Sequence, residues 1–118
     1  MMERWLKARA HLLPAIQRLG GTHTEEDIFF AICRGAMQLW LGDASAIVTE
    51  IVRYPRKSAL NVMVAGGDLA DIKRAEEQLT AFAIRNGCAR IQAGGRDGWA
   101  RVFPGCRRNG TIIYRDMP

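Results

Sequence analysis

The densest run of residues able to engage a partner is Gly94-Gly95-Arg96-Asp97-Gly98-Trp99-Ala100-Arg101. Its clustered glycines let the backbone approach another molecule closely. Arg96 and Arg101 flank Trp99, whose ring suits stacking on a base or anchoring an interface. The same residues also suit a plainer role, with Trp99 packed beneath a short helix and Arg96 bonding loop carbonyls or Asp97. Cys33, Cys88 and Cys106 are odd in number, show no CxxC spacing and have no histidine at ligand distance, which argues for free thiols rather than a disulfide frame or zinc site. His11 and His23 are isolated, so no metal is expected.

Charge is uneven along the chain. Residues 1–84 carry 10 Lys/Arg against 10 Asp/Glu, whereas residues 85–118 carry seven arginines against Asp97 and Asp116, so the whole net charge of +5 lies in the last third. Arginine's planar fork suits phosphates and carboxylates. Residues 85–118 therefore offer a contact for nucleic acid or an acidic partner, or else a solvated basic face. One aromatic among arginines does not match the stacking platforms of RNA modules.

These residues must be held by one domain, because 118 residues suffice for one core only. A content of 48% hydrophobic and 25% charged residues argues against disorder. No uncharged apolar-leaning stretch, 35–42 among them, comes near the roughly 20 residues that span a bilayer. The charged start Met1-Met2-Glu3-Arg4-Trp5-Leu6-Lys7 lacks an apolar signal core, so synthesis in the cytoplasm is expected.

Apolar residues at Trp5, Ala8, Leu12, Ala15, Ile16 and Leu19 predict an amphipathic helix over 4–19, kinked or divided at Pro14 and ended by Gly20-Gly21. Thr24 followed by Glu25, Glu26 and Asp27 predicts a capped second helix to about Arg34, with Ile28, Ala31 and Ile32 inward and Phe29 or Phe30 against the first helix. Alternation over 37–41, 46–53 and 60–65 predicts an antiparallel meander. Gly66-Gly67-Asp68 is expected to break its last strand, Asp68 to cap one long helix ending at Gly87, and 89–93 to form a strand parallel to the third. A short helix near Trp99–Phe103 and a hairpin around Asn109-Gly110, pairing 107–108 with 111–114, complete the expectation. The fold class is α+β with a mixed sheet: meander, β-α-β crossover and C-terminal hairpin.

That order resembles the GCN5-related N-acetyltransferase (GNAT) fold over nearly the whole chain, without the fold's usual first strand. More specifically, Glu50-Ile51-Val52-Arg53-Tyr54-Pro55-Arg56, Leu60-Asn61 with Gly66-Gly67-Asp68, and Gly95-Arg96-Asp97-Gly98-Trp99 look like small GNAT-like proteins of tailed bacteriophages. The resemblance implies a gene near virion-assembly genes and, in some relatives, a component of the particle.

A working GNAT binds the acetyl-CoA diphosphate at the N-terminus of its long helix, where amides and dipole favour an anion. The family's pattern, Arg/Gln-x-x-Gly-x-Gly/Ala, corresponds here to Val64-Ala65-Gly66-Gly67-Asp68-Leu69-Ala70-Asp71, which lacks the leading Arg or Gln. Bound acetyl-CoA would rest on Gly66, Gly67, Asp68 and Leu69. Asp68 as a cap would occupy the same amides, and the repulsion from Asp68 and Asp71 would cost on the order of 1 kcal/mol or more each. The family's acidic Tyr has no counterpart near Trp99, Arg101 and Phe103, and Glu50 is the weak candidate for a base.

The resemblance and these departures together predict a catalytically degenerate, virion-associated structural, assembly or binding protein, with no cofactor. An acetyl-CoA-dependent N-acetyltransferase acting on a host or viral protein is the alternative, and a basic nucleic-acid-binding accessory protein a further one. An open sheet edge at 37–41, and Trp5, Trp40 and Trp99 if exterior, predict self-association or docking to other virion proteins. The candidate interface residues are Arg96, Trp99, Arg101 and Trp40.

Overall fold

A computed structural model describes residues 1–94, 103, 105–107, 110, 113 and 115–118. The expected short helix, the 107–114 hairpin and Arg96, Trp99 and Arg101 lie wholly or largely outside the described residues. Helix α1 spans Met2–Gln17 and buries Trp5, Ala8, Leu12 and Ile16 along one stripe. It runs undivided through Pro14. Helix α2, Glu25–Cys33, starts in a reciprocal capping box: the Asp27 amide donates to Thr24 Oγ1 and the Thr24 amide to Asp27 Oδ2. Phe29 meets Trp5 at 5.5 Å between ring centroids, while Phe30 is exposed.

Strands β1 (Gln38–Leu41), β2 (Ser45–Arg53) and β3 (Ser58–Gly67) form the expected antiparallel meander, and β4 (Cys88–Ala93) pairs parallel to β3. The sheet order is β1-β2-β3-β4, a mixed four-stranded sheet in an α+β fold. Strand alternation divides two apolar clusters. Ala46, Val48 and Val64 pack with α1 and α2. Ile47 and Leu60 face Ile72, Leu79 and Ala83 of the following helices. Burying each of these larger side chains contributes about 1.5–3 kcal/mol.

Three expectations need correction. Strand β3 does not break at Gly66-Gly67 but carries both in its ladder, with Gly66 opposite Ala46 and Gly67 opposite Ser45. The single long helix is two, α3 (Leu69–Arg74) and α4 (Glu76–Arg85). At Ala75 the amide donates to the Ile72 carbonyl three residues back, a tightened turn that interrupts the α pattern. Gly87, at φ 71°, ends α4 as expected. Trp5 is also no exterior anchor: it is 4% exposed, in the core.

Candidate functional site

At the start of α3 the Asp68 carboxylate accepts the Asp71 amide at 3.0 Å, so the first helical turn is capped by the chain itself. Asp71 is only 7% exposed and turns away from the helix start. Its Oδ2 accepts the Ser45 hydroxyl at 2.6 Å and the Ala44 amide at 3.1 Å, and its Oδ1 accepts Arg74 Nη2 at 2.9 Å. The Ser45 hydroxyl, the Ala44 amide and the Arg74 guanidinium hold the Asp71 carboxyl below the usual carboxylate range, in that order of effect. This carboxylate latches the β1–β2 turn to α3.

The glycines before the cap have packing reasons of their own. A methyl on Gly66 would overlap the His11 carbonyl of α1, and one on Gly67 would overlap the Ala44 carbonyl. Gly67 also sits at φ 111°, a conformation side chains resist. Gly66 and Gly67 therefore let a helix and a turn close on β3. Leu69 follows directly, exposed, as the first residue of α3.

A second constellation crosses the sheet. The alternation that sends Ala46 and Val48 towards α1 and α2 puts Glu50 on the same face, opposite Asn61, which lies opposite Gln92. Asn61 Nδ2 donates to Glu50 Oε1 at 3.2 Å, and Gln92 Nε2 donates to Asn61 Oδ1 at 3.4 Å and to the Tyr54 hydroxyl at 2.9 Å. Arg90 Nε donates to Gln92 Oε1 at 3.1 Å, with its guanidinium carbon 5.8 Å from the Tyr54 ring centroid. Glu50, Asn61 and Gln92 are half-buried, Tyr54 and Arg90 exposed. This file can accept and donate hydrogen bonds and stack a planar group.

Of the sequence candidates, Glu50 joins this file and is not a lone carboxylate. Trp40 is half-buried: its Nε1 donates to Thr49 Oγ1 at 2.9 Å and its ring meets Phe82 edge-on at 5.3 Å. Beside it, a recess of about 300 Å³ is lined by residues including Arg4, Trp40, Asp71 and Arg74. Sequence reading missed Tyr54, Asn61, Arg90 and Gln92 as a group. The available signal was a lone amide between apolar neighbours in two strands, Leu60-Asn61-Val62 and Ile91-Gln92-Ala93. Among the described residues no group of His, Cys, Asp and Glu could hold a metal ion, and no helix is long and apolar enough to cross a membrane.

Among solved structures the chain is similar to TTHA1254 from Thermus thermophilus. A mutant form of that protein aligns with a TM-score of 0.61 and the wild type with 0.58, both at 11% identity over 86% of this chain and 87% of that one. Likeness at this identity shows a shared fold. No family model and no curated protein matches the sequence.

Proposed function

We propose that the chain is a GNAT-like protein of a tailed bacteriophage, catalytically degenerate and serving as a virion-associated structural, assembly or binding component. The phage-type segments around Glu50, Leu60 and Gly95 support the phage assignment. The observation that carries the non-catalytic reading is the self-capped helix start. Asp68 takes the Asp71 amide, and Gly66 and Gly67 are committed to α1 and the β1–β2 turn. An incoming diphosphate would have to displace the Asp68 carboxylate from the Asp71 amide.

Titration calorimetry with acetyl-CoA tests this reading, and only the heat of dilution is expected. Saturable binding would overturn the non-catalytic assignment. Mass spectrometry of purified particles tests the virion part, and absence of the chain from them would overturn it.

One feature favours the acetyltransferase alternative. Val48 pairs with Val64 but Thr49 with Val62, leaving Met63 as an extra residue on β3, and the β3–β4 ladder stops at Val62–Ala93 while β3 runs on to Gly67. Bulges are over-represented beside active sites. In that reading Glu50 is the candidate base, and the same calorimetry decides between the two.

A further inference from the structure

The ladder gathers cations that are scattered in sequence. Arg53 lies opposite Ser58, Ser58 opposite Cys88 and Ala59 opposite Arg90, so the β2–β3 turn and the start of β4 share one end of the sheet. Arg53, Arg56 and Lys57 of that hairpin therefore join Arg90 of β4 and Arg85 at the end of α4, all exposed. Neither ion pair among the described residues, Arg9–Glu25 or Arg74–Asp71, uses any of them. The carboxylate closest in the ladder, Glu50, is engaged by Asn61. At the opposite end Asp43 and Asp71 share a recess with Arg4 and Arg74, so charge there is mixed.

Within the basic end stands Tyr54, 42% exposed, with the Arg90 guanidinium over its ring and its hydroxyl held by Gln92. Arg90 uses Nε on Gln92, and its other guanidinium N–H groups have no partner among the described residues. We infer that this end of the sheet binds single-stranded nucleic acid, with phosphates on the Arg/Lys cluster and a base stacked on the Tyr54–Arg90 pair. The chemistry favours a single strand over the other polyanions. An acidic peptide would use the cations but leave the held ring idle, and a duplex keeps its bases stacked away from a tyrosine on a sheet. Sequence-tolerant strand binding combines a basic track with an aromatic platform in this way. The inference does not depend on whether acetyl-CoA binds.

Fluorescence anisotropy with a labelled oligothymidylate, its duplex with oligoadenylate, and polyglutamate tests it. With about five phosphate contacts, affinity for the single strand should fall on the order of 100-fold between about 50 and 200 mM salt. The double variant Arg56→Gln, Lys57→Gln should lower the salt slope by about 1.4. Tyr54→Ala should weaken binding roughly 5- to 100-fold while Tyr54→Phe retains it. Both sites are exposed, and circular dichroism checks that each variant is folded. No binding at low salt, or equal binding of duplex or polyglutamate with Tyr54→Ala silent, would overturn the inference.

Discussion

Asp71 holds together a part of the molecule that its sequence neighbours do not reveal. Hydrogen bonds from Ser45 and Ala44, and then Arg74, lower its pKa. Glu25 is lowered by its hydrogen bond to Arg9, and Asp27 by the Thr24 amide. Because each folded-state value lies below the unfolded one, their stabilisation is complete above the unfolded pKa and is lost as pH falls through the folded values, from about pH 4 downward. Denaturant midpoints measured from pH 6 to pH 2 should therefore fall in acid. The Asp71→Asn variant should start lower and converge on the wild type at the acid end, whereas a gap independent of pH would remove charge from the account.

At the scale of elements, the contact of α1 with β3 is the tightest constraint. Gly66→Ala should cost about 3 kcal/mol, the upper part of the overpacking range, because the new methyl meets a helix carbonyl rather than a side chain able to turn away. Pro14 is exposed within α1 and leaves the Ala10 carbonyl without its i+4 amide. Pro14→Ala should accordingly stabilise the protein by roughly 1–3 kcal/mol, read as a raised denaturation midpoint. A loss of stability there would mean that the proline sets a bend on which the packing of Leu12 and Ile16 depends.

For the whole molecule the relevant feature is an open sheet edge. The Gly42 amide bonds the Ser45 carbonyl, so the alternation turns the Leu39 backbone outward, where its carbonyl accepts Arg4 Nη2 at 3.4 Å. Such an edge is a template for strand addition. Light scattering at high concentration should give a mass above 13.2 kDa. Leu39→Pro, which removes the outward donor, should return the monomer. A wild type that stays monomeric would set the edge aside as an assembly surface.

Local chemistry was legible in the sequence: the Thr24 and Asp68 caps and the Gly87 stop depend on neighbours within a few residues, the meander on alternation and short turns, and the parallel fourth strand on a helical crossover long enough to return the chain. The continuity of β3 through Gly66-Gly67 was not legible, because glycines that end a strand and glycines that admit a crossing helix read alike until the helix is placed. The break at Ala75 and the inward turn of Asp71 depend likewise on contacts with the β1–β2 turn. The charge count located the basic character in the last third of the chain. The sheet register instead put Arg53, Arg56 and Lys57, from the neutral part, beside Arg90, and ran Glu50, Asn61 and Gln92 into one file. Side chains on separate strands become neighbours only through pairing, and pairing is set by burial of the two apolar faces over the whole fold.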